Sequence, residues 1–470
     1  MVRSGLRDAR RALTPPAAAV LLLVSALLIG AGYGLGGGIA ALATALSGGE
    51  PDPEPKVLDF VRLSPEHPAP ASPLRSCSIE AVVAQPGALE FHGYAVNAET
   101  GEVLFERRSE EANPTASTMK LITAAAALTV LGPEERIPTR VYAGAEPGQV
   151  VIVGGGDATL ATQPDTFYAG APQLSELAAQ VSAAWAQDPA LAGTPITSVS
   201  ADLSLFGGEQ WHPSWNVSDR TEGYISPIAS FMVDGDRSQP SQWVSPRSEQ
   251  PAQRAAAAFA AALGLPPEAA AVNGTAPEGA RLLGEVRSQP VRELVGYVLT
   301  HSDNDVAEAL ARLVAIRLGA GNAFDSIEAG SARAMSDLGL DASGLRLVDG
   351  SGLSGQNRVP AEFMVSLLQL IRSGAHGLDA LIPLLPLSGL TGTLDDRFDP
   401  AASGVPGGAI QAKTGWIDEV YALAGYMTAA DGSTITFAFY VVGQVTPANR
   451  DVLDQIAAQA YACGASLADW

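Results

Sequence analysis

Residues 12–49 contain no charged side chain, and this stretch limits where a globular fold can begin. Its apolar part exceeds the roughly 20 residues that a helix needs to cross a bilayer. Four arginines precede it, namely Arg3, Arg7, Arg10 and Arg11. Because basic residues hold their side of an apolar segment in the cytoplasm, the rest of the chain should lie outside the cytoplasm. Residues 1–49 are therefore expected to form either a cleaved signal peptide or an uncleaved transmembrane anchor.

A proline-rich segment follows at residues 50–76. Seven of its residues are proline and few are apolar, so we expect a semi-rigid linker there. The folded part should begin near Cys77. Cys77 and Cys463 are the only cysteines of the chain, and cysteines outside the cytoplasm often form disulfides. Since the sequence gives no distance between them, a Cys77–Cys463 disulfide and two free thiols both stay open.

The composition narrows the classes of partner. The 470 residues are 47% apolar, which is enough for two or three domains with sizeable cores. The 50 acidic and 28 basic residues give a net charge of -22, which repels phosphate backbones and predicts no nucleic-acid partner. The five histidines and two cysteines show no metal-ligand spacing, so neither a metal site nor another cofactor is expected.

Apolar periodicity predicts the main elements. Residues 89–108 read as a β-hairpin. Residues 113–132 read as a helix, in which Asn113 caps the start, Pro114 takes the first helical position and Gly132 ends it. Between about 137 and 287 the pattern changes to strands alternating with helices, which indicates a separate unit. A helix interrupted near 301–304, strands within 408–444 and a final helix over about 448–465 complete the chain.

Three short motifs occur in this order along the chain: Ser-Thr-Met-Lys at 117–120, Ser-Asp-Asn at 302–304 and Lys-Thr-Gly at 413–415. Each can occur by chance, and the second also fits an ordinary helix-capping turn. The chain has only three lysines, however, and two of them, Lys120 and Lys413, fall inside these motifs. Their joint occurrence in this order favours one shared site.

This trio resembles the signature of class A β-lactamases and penicillin-binding proteins. The chain more closely resembles the D-alanyl-D-alanine carboxypeptidase/endopeptidase family of class C low-molecular-mass penicillin-binding proteins, peptidase family S13. Segments 154–160, 349–358 and 385–397 are also similar to recurring segments of that family.

The resemblance implies an α/β (α+β) fold. A β-lactamase/transpeptidase-like serine acyltransferase domain, with an antiparallel sheet flanked by helices and a helical subdomain, would comprise residues 77–136 and 287–470. An inserted α/β domain would occupy 137–286, and an N-terminal membrane segment would precede both.

The residue types of the first motif themselves predict a nucleophile and a base. A serine hydroxyl becomes a good nucleophile when a neighbouring base takes its proton, so Ser117 is the expected nucleophile and Lys120 the base. Lysine acts as a base only when neutral, which requires its pKa to fall by about 3 units. Arginine does not lose its proton in proteins. We expect the positive end of the helix starting at Asn113 and the charge of Lys413 to cause this fall.

The remaining roles are what the resemblance implies. Ser302 would relay a proton to the leaving amine, and Asn304 would orient Lys120 or the substrate. Thr414 with Lys413 would bind the terminal carboxylate, and the substrate would lie along Gly415 and Trp416. Backbone N–H groups of Ser117 and residue 416 would form an oxyanion hole.

Trp416 departs from the family pattern, in which a small hydroxyl residue usually follows Lys-Thr-Gly. The departure weakens the expected recognition of a free C-terminal D-alanine and favours cleavage of internal cross-links.

The expected function is that of a serine DD-peptidase with peptidoglycan peptides and β-lactams as partners, held in the cell envelope by its N-terminal segment or secreted. Two alternatives stay open: a β-lactamase, and a non-catalytic wall-binding protein on the same fold. The long stretch from Ser117 to Ser302 exceeds the single helical subdomain that a β-lactamase places there. The presence of all five motif residues argues against the non-catalytic alternative.

Overall fold

The computed structural model describes residues 75–468 of the chain. The expected signal peptide or anchor at 1–49 and almost all of the expected linker at 50–76 lie outside the described residues. Within 75–468, no helix combines the length and the apolar character needed to cross a membrane.

Strands and helices alternate along the described residues. The strands are β1 (Glu90–Asn97), β2 (Val103–Arg107), β3 (Arg136–Ala143), β4 (Gln149–Val153), β5 (Ser198–Asp202), β6 (Ala270–Ala271), β7 (Leu282–Pro290), β8 (Ile410–Ile417), β9 (Val420–Thr428) and β10 (Thr434–Val442). The α-helices are α1 (Glu80–Val83), α2 (Lys120–Ala126), α3 (Leu174–Gln187), α4 (Ser218–Glu222), α5 (Pro251–Ala262), α6 (Val291–Thr300), α7 (Asn304–Arg317), α8 (Asp325–Asp337), α9 (Ala361–Arg372), α10 (Pro400–Ser403) and α11 (Pro447–Cys463).

The first sheet contains strands from both ends of the described chain. Its order is β2-β1-β10-β9-β8, and every neighbouring pair is antiparallel. Successive residues of β10 point to opposite faces. Phe437 and Phe439 belong to the core around α11, whereas Ala438 and Tyr440 belong to the core around α2, α6, α7 and α9. Burial on both faces explains why β10 is apolar from Phe437 to Val442.

The second sheet has its own core. Its order is β6-β5-β4-β3-β7, with β4, β5 and β6 parallel and with β3 antiparallel to both β4 and β7. Helices α3 and α5 supply Leu177, Val181 and Phe259 to the buried cluster on this sheet. The expected fold class, a mixed α/β fold with an antiparallel sheet flanked by helices, is confirmed. The division into domains at residues 137 and 286 stays a prediction.

Several local predictions are also confirmed. The predicted hairpin at 89–108 is the pair β1–β2, and the interrupted helix is the pair α6–α7. Of the two alternatives left open for the cysteines, the disulfide Cys77–Cys463 is present, with Cα atoms 5.3 Å apart. The disulfide joins the start of the described chain to the last turn of α11.

Candidate active site

The turn that carries Ser117 is tightly packed. Residues Ala116–Met119 form a 3-10 turn that leads directly into α2. Ala116 has a φ of 43°, a left-handed conformation that costs energy for any residue with a side chain. A Cβ added to Gly415 on β8 would lie 2.8 Å from the Thr115 carbonyl oxygen and 3.1 Å from the Ser117 nitrogen. Glycine at 415 therefore allows β8 to approach the nucleophile.

The predicted helix start at Asn113 is wrong, because the helical turn begins three residues later. The backbone of Asn113 pairs with Val359 in an isolated β-bridge. Its side-chain Nδ2 donates a hydrogen bond to Nδ1 of His92, at 3.0 Å. Asn113, which the sequence suggested as the helix cap, instead makes two tertiary contacts. Ser117 therefore lies at the very start of the helical segment.

Lys120, the first residue of α2, is completely buried. Its Nζ lies 2.8 Å from Ser117 Oγ, as the three-residue spacing predicts. The same Nζ donates to Asn304 Oδ1 at 2.5 Å and to the carbonyl oxygen of Ser351 at 2.6 Å. The amine therefore contacts the nucleophile and two uncharged oxygen acceptors.

Burial lowers the pKa of Lys120 from its ordinary value to about 8, although the negative charges of Asp349, Glu308, Asp303 and Asp305 act in the opposite direction. The predicted fall of the lysine pKa is therefore present. Burial is the main cause of this fall, whereas the sequence pointed to the positive end of the helix and the charge of Lys413.

A turn at residues 349–354 holds the Ser351 carbonyl in place. The carboxylate of Glu308 on α7 accepts the backbone N–H groups of Gly350 and Ser351, the latter at 2.7 Å. The carboxylate of Asp349 accepts the N–H groups of Gly352 and Ser354 and the indole N–H of Trp215. Burial, with the charge of Asp349, raises the pKa of Glu308 to about 8.

The second motif forms the break between α6 and α7. Ser302 has a φ of 59°, and Asp303 caps α7 by accepting the N–H of Val306 at 3.0 Å. Asn304 donates from Nδ2 to the carbonyl oxygen of Tyr224 at 2.9 Å, while its Oδ1 accepts from Lys120. The motif is thus a helix-capping turn and part of the site at once.

The third motif lies on β8, at the edge of the first sheet. Lys413 is completely buried, and its Nζ donates to Ser302 Oγ and to the Thr414 carbonyl oxygen, both at 2.9 Å. Burial, together with the charge of Lys120, lowers the pKa of Lys413 well below its ordinary value. Ser302 therefore contacts Lys413, and the two lysines influence each other across one site.

Thr414, Gly415 and Trp416 continue along the same strand. The hydroxyl oxygens of Thr414 and Thr393 lie 2.7 Å apart. The side chain of Trp416 is half-exposed and stacks on Tyr421, with the ring centroids 6.2 Å apart. It meets the edge of Tyr224 at a centroid distance of 6.4 Å.

A cleft of about 530 Å³ joins these residues. Its walls include the following motif residues: Ser117, Ser302, Asn304, Thr414, Gly415 and Trp416. The outer edge of β8 is covered as far as Ala412 by the segment 386–388, and the cleft begins beyond it. Lys120 and Lys413 lie beneath the floor of the cleft and reach it through Ser117 and Ser302.

All eight residues predicted from the motifs therefore meet in one place. Three further residues of the site, Ser351, Glu308 and Thr393, were not predicted from the sequence. Glu308 carries no motif, and Ser351 acts through a backbone carbonyl, which leaves no residue signature. Ser351 and Thr393 lie in segments 349–358 and 385–397, whose sequences indicate a resemblance to the family but no particular role. Among residues 75–468, no group of three or more His, Cys, Asp or Glu side chains could hold a metal ion.

A serine contacted by a buried lysine of lowered pKa, on a helix next to an antiparallel sheet, defines a serine acyl-transfer enzyme of the penicillin-recognising class. A model of the D-Ala-D-Ala carboxypeptidase 3 (S13) family matches residues 76–244 and 237–462. The chain belongs to this family, as its motifs predict, and it is a serine DD-peptidase.

Relatives and solved structures agree with this assignment. The chain is 35% identical over 425 residues to Carboxypeptidase DacB of Mycolicibacterium smegmatis, covering 88% of this chain and 90% of that protein. It is 36% identical over 397 residues to a carboxypeptidase of Mycobacterium tuberculosis, covering 83% and 84%. The crystal structure of penicillin binding protein 4 (dacB) from Haemophilus influenzae shares the fold, with a TM-score of 0.66 at 21% identity over 82% of this chain and 98% of that chain.

Proposed function

We propose that this DD-peptidase cleaves D-Ala-D-Ala and cross-linked stem peptides of peptidoglycan through an acyl-enzyme on Ser117, and that β-lactams acylate the same serine. The observation that carries the proposal is the 2.8 Å contact between Ser117 Oγ and the buried Nζ of Lys120. Family membership supports the substrate class, and a relative from Actinomadura is named D-alanyl-D-alanine carboxypeptidase.

Acylation would start from neutral Lys120. With a pKa of about 8, about one lysine in ten is neutral at pH 7, against about one in 3,000 for an ordinary lysine. The neutral amine takes the proton of Ser117 as Oγ attacks the carbonyl carbon of the substrate. The oxygens of Asn304 and Ser351 then accept the N–H groups of the ammonium that forms.

Expulsion of the amine would use Ser302 and Lys413. The leaving nitrogen needs a proton, which the Ser302 hydroxyl donates while Lys413 replaces it through their 2.9 Å contact. A substrate carboxylate bound near Thr414 would raise the pKa of Lys413, because it places a negative charge beside the amine. Lys413 would then become a proton source when substrate is bound.

Thr393 would compensate in part for the hydroxyl that Trp416 lacks. Its hydroxyl lies 2.7 Å from that of Thr414, so the two can donate together to one carboxylate. Trp416 and Tyr224 add half-exposed rings at the same end of the cleft. Because these rings can pack against a longer leaving group, we propose that cross-linked peptides are cleaved in preference to pentapeptides.

The charge-free stretch 12–49 and the linker 50–76 would deliver the enzyme to the outer face of the membrane or release it beyond. The Cys77–Cys463 disulfide supports a place outside the cytoplasm. Western blotting of membrane, wall and medium fractions would distinguish an anchored form from a released form.

Fluorescent penicillin labelling of the wild type and of Ser117→Ala tests the proposal. A stable label that the variant lacks is expected. No label on the folded wild type, or equal labelling of both proteins, would contradict the assignment of Ser117. Mass spectrometry of products from purified muropeptides then measures the preference, because cross-linked dimers should disappear faster than pentapeptide monomers.

A further inference from the structure

Side chains and backbone from the predicted insert contact four of the five residues from 301 to 305. The indole Nε1 of Trp243 donates to the carbonyl oxygen of His301 at 2.9 Å. The carbonyl oxygen of Tyr224 accepts from Asn304. Segment 224–247 therefore holds both sides of Ser302.

Asp303 is held most firmly. Its Oδ2 accepts from Arg237 Nη2 at 2.8 Å and from the Tyr168 hydroxyl at 2.9 Å. All three side chains are buried. Burial disfavours the Asp303 carboxylate, but Arg237 and the N–H of Val306 outweigh it and lower the pKa of Asp303 below its usual range.

Arg237 connects these contacts into one unit. Its Nη1 donates to the Tyr168 hydroxyl at 2.7 Å, and its Nε donates to the carbonyl oxygen of Trp243 at 3.1 Å. Its guanidinium also lies over the rings of Phe167 and Tyr168, 4.5 and 4.8 Å from their centroids. The planar fork of arginine serves several acceptors at once, which a lysine ammonium at this place does not reproduce.

Ser302 itself is in a strained conformation, with a φ of 59°. Such a conformation persists only where the surroundings impose it. Here the residue before Ser302 is bound by Trp243 and the residue after it by Arg237 and Tyr168. These contacts fix the position from which the Ser302 hydroxyl meets Lys413.

We propose that Arg237, Tyr168 and Trp243 are positioning residues that hold Ser302 where it can pass a proton to the leaving amine. The role of Ser302 rests on the proposed function above. On this basis the insert is a working part of the active site, since loosening its grip on residues 301–303 impairs the step that needs Ser302.

Three variants test the proposal. Trp243→Phe removes the indole N–H and keeps an aromatic ring at a half-exposed position, so it should fold. Arg237→Met removes the whole fork, and Arg237→Lys keeps the charge without the fork. Arg140→Met is the matched control, because Arg140 pairs with Glu285 within the second sheet and its loss perturbs the insert elsewhere.

The readout compares two substrates with the same acyl-D-Ala part. In one, an acyl-D-Ala-D-Ala peptide, the bond that is cleaved is an amide; in the other it is a thioester. The measured quantity is the ratio of kcat/KM for the amide to kcat/KM for the thioester. An amine must be protonated to leave, whereas a thiol of pKa about 8.5 leaves as a thiolate. Loss of one hydrogen bond in Trp243→Phe should lower this ratio about three- to tenfold. Arg237→Met should lower it further with little rescue in Arg237→Lys, and Arg140→Met should leave it unchanged.

Positioning is also measurable without turnover. Hydrogen–deuterium exchange of a peptide spanning 297–306 should rise in Trp243→Phe and Arg237→Lys but not in Arg140→Met. Wild-type exchange in both variants, or an unchanged amide-to-thioester ratio in folded Trp243→Phe, would overturn the proposal. If exchange in this peptide rises in the variants as expected but the wild type cleaves no amide substrate, the proposed function alone would be refuted.

Discussion

The pH dependence of acylation tests the central claim that Lys120 is the base. A base works only in its neutral form, so the acylation efficiency of a β-lactam should follow the neutral fraction of Lys120 in the free enzyme. With a pKa of about 8, that fraction rises about 100-fold from about pH 6 to about pH 9 and then levels off. The acylation efficiency should therefore only increase with pH, because Lys120 loses its proton as the pH rises.

The assay is stopped-flow measurement of second-order acylation by a chromogenic penicillin at a series of pH values. Lys120→Arg should show no acylation below about pH 11, since arginine keeps its proton. Ser117→Ala provides the blank.

Glu308 is the necessary control, because its pKa is also raised to about 8. Glu308→Gln removes that titration. It should leave the step in place and move it to lower pH, since the negative charge of Glu308 raises the pKa of Lys120. A flat profile between about pH 6 and 9, or loss of the step in Glu308→Gln alone, would refute the assignment of Lys120 as the titrating base.

Three further outcomes are expected. Trp416→Ser should raise pentapeptide cleavage relative to cross-link cleavage several-fold in muropeptide assays, because it restores a hydroxyl beside Thr414; an unchanged product ratio would count against that role. Gly415→Ala should lower acylation about 100-fold or more, since its Cβ collides with the Ser117 turn, whereas Gly193→Ala, with open space around it, should acylate normally. Replacing Cys77 and Cys463 by serine should lower the free energy of unfolding by about 2–5 kcal/mol in urea titrations, and unchanged stability would show that the disulfide contributes little.

The fold was predictable where pattern and packing agree. Strand β10 is apolar from Phe437 to Val442 and is buried on both faces. The hairpin β1–β2 and the break between α6 and α7 each have a local signal, a polar turn and a capping aspartate. The start of the helical turn at Ala116 was not predictable, because Asn113 and Pro114 carry a local capping pattern that tertiary pairing with Val359 overrides.

The site was predictable where its chemistry depends on a residue type that is rare in this chain. Two buried lysines in a chain with three lysines give a strong signal. The partners of those lysines gave little signal, since the Ser351 acceptor is a backbone carbonyl and Arg237 is one of 25 arginines. Contacts across long stretches of chain, such as that between Arg237 and Asp303, depend on the folded arrangement and have no local pattern.

The choice of acceptors around Lys120 explains how a lysine surrounded by acidic residues remains a base. Four carboxylates raise its pKa from a distance, yet its hydrogen bonds go to the uncharged oxygens of Asn304 and Ser351. Asp303 forms an ion pair with Arg237, and Asp349 accepts hydrogen bonds from backbone and indole N–H groups. A carboxylate in direct contact with Nζ would hold the proton on the amine. Because amide and carbonyl oxygens occupy those positions, burial prevails and Lys120 can be neutral near physiological pH.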